Sequence, residues 1–300
     1  MGQFKKVTAY QSIQHLHEEK GYPVQQLCAR LHITRSAYYR WLRQPQSEQE
    51  QANQQLVVTI CKIHEDHPEM GYRRIKDELK RTYNVNVNDK RVLRLCRYKQ
   101  IQSTIKHPAN CITRRANNPS HTAENVLNRK FKAEKPNQKW VTDVSEFKYY
   151  LGLEVHKLYL SAILDLYDRR IVSYVLRDAN DLNLVFDTFD EAVKREPEAH
   201  PIFHSDRGFQ YTHINFYKRL EKAKMTQSMS RVGKCIDNGP MEGFWGILKR
   251  EKYYGHKFTS REELVAMITQ YIHYYNNGRY QRKLHVMTPM EFHRHYDEAA

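Results

Sequence analysis

Apolar positions recur at helical spacing through the first hundred residues and give way to strand-like runs near Trp140. Thr8 to Glu19 reads as one helix. After the Gly21-Tyr22 break, Pro23 suits a helix start, and Val24, Leu27, Cys28 and Leu31 keep helical spacing. Thr34 can cap a third helix that contains Arg35, Ser36, Tyr38, Tyr39, Arg40 and Trp41. Two short helices joined by a tight link, the second rich in Arg and Tyr, suit a helix-turn-helix that contacts DNA. A generic three-helix bundle with an aromatic core would give the same pattern.

Gln44 to Gln55 is polar and Gln-rich, is broken early by Pro45, and predicts a linker. Helical periodicity resumes from Leu56 to His64, breaks at His67-Pro68-Glu69-Met70-Gly71, and returns over Tyr72 to Leu79. Asn88 can cap a further helix, Lys90 to Tyr98, giving a second helix-turn-helix-like unit. Lys106 to Asn128 lacks periodicity and carries Pro108, Arg114, Arg115 and Pro119, so it reads as a basic linker.

Beyond it, Trp140 to Tyr149, Lys157 to Leu164 and Ile171 to Leu176 are β-rich runs with connections short enough for hairpins. A helix over Leu182 to Lys194, a strand at Pro201 to His204, a helix at Ile214 to Lys222 and a strand near Met225 to Ser228 follow, and two long helices complete the chain. The expected class is α/β: a ribonuclease H-like domain, a mixed five-stranded sheet with flanking helices, preceded by small all-helical modules. The predicted divisions are a helical module at 1–45, a second helix-turn-helix-like DNA-binding domain at 46–105, a basic linker at 106–130 and the catalytic core at 131–296.

Charge sharpens this division. The chain carries 49 Lys+Arg against 34 Asp+Glu, a net of +15. Through Lys135 there are 25 basic and 12 acidic residues (+13); the remainder, 49 − 25 = 24 against 34 − 12 = 22, nets only +2. A basic front half fits a region that grips nucleic-acid phosphates, although a solvated basic surface has the same composition. The five cysteines include no CxxC pair, which supports neither a disulfide framework nor a zinc site. With no signal-peptide pattern and no apolar run of about 18 residues, the expectation is a soluble cytoplasmic protein with no membrane partner.

Three acids carry the candidate chemistry. Asp143 interrupts an otherwise apolar strand, where a carboxylate is costly unless paired or metal-bound. Asp206 lies just past the fourth strand, in His204-Ser205-Asp206-Arg207-Gly208. Strand ends of α/β sheets are where ligand-binding residues gather. Glu242 opens a helical run after Asp237-Asn238-Gly239-Pro240. Phosphodiester hydrolysis and strand transfer need an attacking oxygen activated and a leaving 3′ oxygen neutralised. Two divalent metals about 4 Å apart do both, and Mg²⁺ prefers carboxylate ligands. Singly each acid is ordinary; their order and placement together point to a metal site.

The chain resembles the insertion-sequence transposases of the two-reading-frame type, which have a retroviral-integrase-like catalytic core. The resemblance rests on Trp140-Val141-Thr142-Asp143, on His204 to Gly208, and on Asp237-Asn238-Gly239-Pro240-Met241-Glu242 followed by Leu248-Lys249-Arg250-Glu251. Residues 207–241, 35 of them, separate Asp206 from Glu242, the spacing of the family's Asp-Asp-Glu signature. Tyr274 to Arg279, Thr288 to Phe292 and Gly71-Tyr72-Arg73-Arg74-Ile75 extend the likeness over about Tyr22 to Tyr296. Gly239 replaces a common alanine, and Gly243-Phe244-Trp245 stands where Ser-Phe-Phe is usual.

The resemblance implies that Asp143, Asp206 and Glu242 are catalytic and metal-binding, holding Mg²⁺ or Mn²⁺ as two ions. Its substrate would be double-stranded DNA, as element ends and target, with Lys249, Asn238, Arg207, Arg35, Arg40, Arg73 and Arg74 as DNA contacts. It implies a homo-oligomer on DNA, a bacterial nucleoid-associated location, and an upstream-frame partner or fusion that supplies a helix-turn-helix and leucine zipper, since no sustained heptad appears here. A non-catalytic DNA-binding regulator and a ribonuclease H-like nuclease are the rival readings. Among other residues, Asp165 and His204 stand as candidates for supporting the site, Tyr271, Tyr274 and Tyr275 read as core packing, and His293 with His295 read as an exposed, frayed end.

Overall fold

The change of period near Trp140 is where helices give way to a sheet in this computed structural model, which describes residues 2–43, 48–105, 121–232 and 235–299. The chain forms two compact units, one drawing on residues 1–66 and 93–101, the other on 67–92 and 102–300.

In the first unit, α1 (Gly2–Lys20), α2 (Val24–Arg30) and α3 (Arg35–Arg43) enclose Ile13, Val24, Cys28 and Tyr38. Tyr10 stacks on Trp41 with ring centroids 5.3 Å apart. The α2–α3 link turns at His32, whose φ is +52°, and Thr34 Oγ1 accepts from Ala37 N at 3.3 Å as the expected cap. Helix α4 (Glu48–Asp66) corrects the linker predicted over Gln44 to Gln55, of which 44–47 lie outside the described residues. Leu56, Ile60 and Ile63 form a buried stripe that anchors the helix. Glu48 and Glu50 complement its N-terminal dipole, and glutamine is a good helix former, so polarity alone misleads here.

The second unit begins with α5 (Tyr72–Arg81), which buries Ile75 and Leu79. Next, α6 (Asp89–Tyr98) is capped by Asn88 Oδ1, which accepts from Lys90 N at 2.9 Å; α6 itself runs on into the first unit. The basic stretch 106–130 is described only from His121. There it is part of the core rather than a free connector: Leu127 is buried, and its N–H donates to Ser228 Oγ at 3.0 Å.

The sheet comprises β1 (Lys139–Leu151), β2 (Glu154–Asp165), β3 (Ile171–Arg177), β4 (Ile202–Ser205) and β5 (Thr226–Met229), in the order β3-β2-β1-β4-β5. β1 and β2 form a long antiparallel hairpin turning at Gly152, φ +61°, a left-handed position that favours glycine. β4 pairs parallel with β1, and β5 with β4. One face of the sheet packs under α7 (Leu182–Arg195) and α8 (Ile214–Lys222), with Trp140, Val172, Phe189, Phe203 and Phe216 between them. The other face lies under α9 (Gly239–Leu248) and α10 (Arg261–Asn277), around Val141, Phe147, Phe244, Ile268 and Tyr275. This is the expected ribonuclease H-like α/β class. Its C-terminal part departs in one respect. The expected pair of long helices is interrupted by a π turn at Lys249–Tyr253, by Gly255 at φ +90°, and by His285 and Val286 at positive φ before α11 (Pro289–Ala299).

Candidate active site

Register brings two of the acids to one end of the β1–β4 ladder. Lys139, Trp140 and Val141 of β1 pair with Ile202, Phe203 and His204 of β4, a constant offset of 202 − 139 = 63. The pairing ends at Val141 and His204, each two residues before an acid, so Asp143 and Asp206 follow at the same end of the ladder, and the charge of Asp206 acts on Asp143. β4 ends at Ser205, so Asp206 is the first residue beyond it. Asp143 shares its face of β1 with Val141 and Phe147, the face covered by α9.

Glu242 sits in the first turn of α9. Asn238 Nδ2 donates to Thr142 O at 2.9 Å, fastening the helix start to β1 one residue before Asp143. Trp245, three residues after Glu242 and so on the same side of the helix, donates its Nε1–H to Asp143 Oδ2 at 3.1 Å. Asp206 Oδ1 accepts from Gly208 N at 2.8 Å.

These acids are electrostatically uncomfortable. The Asp143 carboxyl is pushed up to about 7, first by burial and then by the charges of Asp206 and Glu242, against the lowering from the Val144 backbone and Trp245. Burial raises Asp206 and Glu242 as well. Tyr211, buried, carries a phenol raised well above its ordinary value by burial and then by Asp143 and Asp206; its Oη lies 3.3 Å from Thr142 Oγ1.

Among the described residues, no three His, Cys, Asp or Glu side chains are placed to hold one metal ion as they stand. The donor chemistry nevertheless fits a hard divalent cation. Burial, with the charges of Asp206 and Glu242 beside it, pushes the Asp143 carboxyl up to about 7, and a dication is the ligand that relieves such crowding.

The other predicted contacts divide by burial. Arg35 and Arg40 are exposed on α3, and Arg73 is exposed on α5, where its Nε donates to Tyr72 Oη at 3.1 Å. Arg207 is partly buried and donates to Ser230 O at 2.9 Å. Lys249 Nζ donates to Glu146 O at 3.0 Å and lies 4.9 Å over the Phe147 ring, so it is held against β1. Asn238 is buried and its Nδ2 is engaged by Thr142, while its Oδ1 is buried without a hydrogen-bond partner among the described residues. Arg74 is turned inward, with Nη1 on Glu251 Oε1 at 2.7 Å and Nη2 on Tyr274 Oη at 2.9 Å, because a buried carboxylate offers it a stronger partner than water.

Asp165 is fully buried and accepts from Asn137 N at 2.6 Å and Tyr167 N at 2.8 Å, serving its own turn rather than the site. His204 lies between Ser228 Oγ (2.8 Å) and Ser230 Oγ (3.1 Å), and burial lowers it to about 4. His293 corrects the expectation of a frayed end: its Nδ1 meets Asp168 Oδ2 at 2.7 Å, with the side chain only 15% exposed.

Sequence reasoning missed Trp245, Tyr211 and the clamp on Asp237. Arg231, Arg129 and Asn125 converge on that fully buried carboxylate, and Arg231 foremost holds it well below the usual carboxylate range. A signal existed for Trp245, one helical turn from Glu242, and Arg231 lies only six positions from Asp237; its other partners, Asn125 and Arg129, lie more than 100 residues away and gave none.

Sequence families described as integrase core domains match residues 133–235 and 242–296. An HTH-like domain matches 50–109 and a homeodomain-like domain 8–53. A putative transposase for insertion sequence element IS150 of Escherichia coli is 37% identical over 272 residues, covering 90% of this chain and 93% of that protein. The insertion element IS600 uncharacterized 31 kDa protein of Shigella sonnei is 32% identical, covering 91% of this chain and 100% of that protein. Among solved structures, the HTLV-2 integrase catalytic core domain in complex with magnesium aligns over 53% of this chain and 98% of its own, at 18% identity and a TM-score of 0.40.

Proposed function

We propose, from the premise that this chain belongs to the insertion-sequence transposases with an integrase core, that Asp143, Asp206 and Glu242 form its catalytic, metal-binding site for cutting and joining DNA. The single observation that carries this reading is that Asp206, just past β4, and Glu242, in the first turn of α9, both lie close enough to Asp143 of the neighbouring β1 for their charges to raise its carboxyl. Mg²⁺ or Mn²⁺ held there as two ions would activate the attacking oxygen and neutralise the leaving 3′ oxygen.

The chain's own residues supply the rest. Trp245 and the Gly208 N–H fix one oxygen each of Asp143 and Asp206 and so set the orientation of those carboxylates. Asn238 fixes the start of α9 on β1 and so the height of Glu242 above the sheet. Arg35, Arg40 and Arg73 are the exposed cations for double-stranded DNA, while Arg207 and Lys249 flank the acids in the chain and would meet phosphate near them. Asn238 and Arg74 support the site from inside rather than contact DNA. The reaction would hydrolyse a phosphodiester to free a 3′ hydroxyl, which then attacks the phosphorus of a second phosphodiester and displaces that diester's own 3′ oxygen, which leaves as a new 3′ hydroxyl. Assembly as a homo-oligomer on DNA, and with an upstream-frame helix-turn-helix and leucine-zipper partner, belongs to the same reading.

Strand cleavage and joining on labelled candidate element ends in Mg²⁺ or Mn²⁺ tests it. Asp206→Asn is expected to bind the ends normally and to lose both steps; a variant that still cut and joined would remove the assignment.

A further inference from the structure

Glu251 lies nine residues beyond Glu242 on the same helical run, yet its side chain is only 3% exposed and faces none of the three acids' partners. It belongs to the π turn, Lys249–Tyr253, that continues α9. Donors from separate elements of the unit converge on its carboxylate. Arg74 Nη1 comes from α5 at 2.7 Å, and Tyr271 Oη from α10 at 2.8 Å. Arg279 Nη2, from just past α10, reaches Oε1 at 2.8 Å, and its Nε lies 3.2 Å from both oxygens. Arg279 is brought there by a close turn. Its N–H donates to Tyr274 O at 2.8 Å, and a Cβ on Gly278 would lie 2.9 Å from the Tyr274 ring.

A π turn is rare and persists only where surrounding contacts over-determine it. Here two side chains hold it from opposite sides. Lys249 reaches Glu146 O on β1, and Glu251 reaches α5 and α10. Two guanidinium groups face one carboxylate, so Glu251 is the charge that lets Arg74 and Arg279, 21% and 11% exposed, remain inside. Glu69 stands 3.9 Å from Arg74 Nη2, too far for a hydrogen bond that would replace it.

We infer that Glu251 is a positioning residue for the carboxylate site: its ionic hub fixes the π turn, and so the pitch at which α9 presents Glu242 and Lys249, and ties that helix to α5. The inference rests on the reading of Glu242 given above. Glu251 touches no reacting atom; it acts through the helix.

The test uses the full chain with Glu251→Gln and Arg74→Gln, and Glu242→Gln as control, all below their measured melting temperatures. Mn²⁺ binding is followed by electron paramagnetic resonance, beside Mg²⁺ titration of strand cleavage and a separate measure of end binding. Both hub variants are expected to bind Mn²⁺ about tenfold more weakly, the size seen when residues that orient metal ligands are removed, and to recover cleavage at saturating Mg²⁺ with unchanged end binding. Folded hub variants with wild-type Mn²⁺ affinity would overturn the inference and leave Glu251 a stabiliser of the fold alone. If Glu251→Gln does not fold, Arg74→Gln decides, since it leaves the Glu251–Arg279 pair in place. Should Glu242→Gln bind Mn²⁺ and cut as wild type does, the reading of Glu242 falls, and the inference with it. Loss in Glu242→Gln with no shift in the hub variants removes the inference only.

Discussion

At one end of the run from Gly239 to Tyr253 carboxylates gather beside carboxylates; at the other a single carboxylate is ringed by cations. Asp143 is raised by burial and by the charges of Asp206 and Glu242, and it is steadied only by neutral donors, Trp245 and the Val144 backbone. Glu251, which is buried, takes two arginines and a tyrosine. The chain has basic residues to spare, 49 of them, and it compensates Glu251, Asp237, Asp77 and Asp168 with arginine. The carboxylates proposed to meet a metal carry strain of the kind expected where a stability cost serves function, and Asp165, buried beside Asp168, is pushed up to about 7 as well.

The largest effect that would break the comparison lies at Asp143. If Asp143 holds the metal as proposed, Asp143→Asn removes a ligand of an ion worth several kcal/mol of transition-state stabilisation, so strand cleavage should fall about a thousandfold or more. Stability should move the other way. The native carboxyl holds its proton to about 7, whereas the unfolded chain releases it near 3.9. Between those values the folded state binds the extra proton, so stability without divalent cations falls as pH rises from about 4 to about 7. Asparagine should remove that contribution. Melting temperatures of the two proteins at pH 4.5 and pH 7 measure it; equal pH slopes would mean that Asp143 is not strained.

At the other end the signs reverse. Glu251→Gln leaves two guanidinium groups in the interior without their counter-charge, a change that costs about 3 kcal/mol or more. For a unit of this size that is a fall of roughly 10 °C in melting temperature. Denaturant unfolding of the variant beside wild type checks it, and an unchanged midpoint would mean that Glu69 or solvent takes over the arginines.

The strained end was legible in the sequence and the compensated end was not, for a physical reason. Asp143, Asp206 and Glu242 announce themselves locally: an acid in a β-branched run, an acid just past a strand, an acid in a first helical turn after Pro240. The β-rich runs likewise located β1 to β5, since a sheet covered on both faces selects apolar, β-branched stretches between turns. Glu251 reads as one more charged residue in Lys249-Arg250-Glu251-Lys252, since its partner Arg74 lies 177 positions away. The same distance blindness made Arg74 look like a DNA contact and His121–Lys130 look like a connector. Helix α4 was missed differently: its buried stripe begins only at Leu56, so the eight residues before it showed polarity without period.

The smallest effect sharpens the comparison most, because it touches the helix that joins the two ends. Helix α9 carries glycine at 239, 243 and 246, a poor composition for a ten-residue helix. It is held instead by Pro240 in its first turn, by Asn238 on Thr142, and by the hub beyond its far end. A Cβ at Gly243 meets nothing within 4 Å, and the position is exposed. Gly243→Ala should therefore stabilise the protein by about 0.5–1 kcal/mol through helix propensity alone, read as a rise of a few degrees in melting temperature. If the anchors already fix the pitch of α9, Mn²⁺ affinity and cleavage stay at wild-type values while stability rises. If cleavage falls as stability rises, α9 must flex for Glu242 to reach its working position, and glycine at 243 is part of the same local trade of stability for function as the crowded acids beside it.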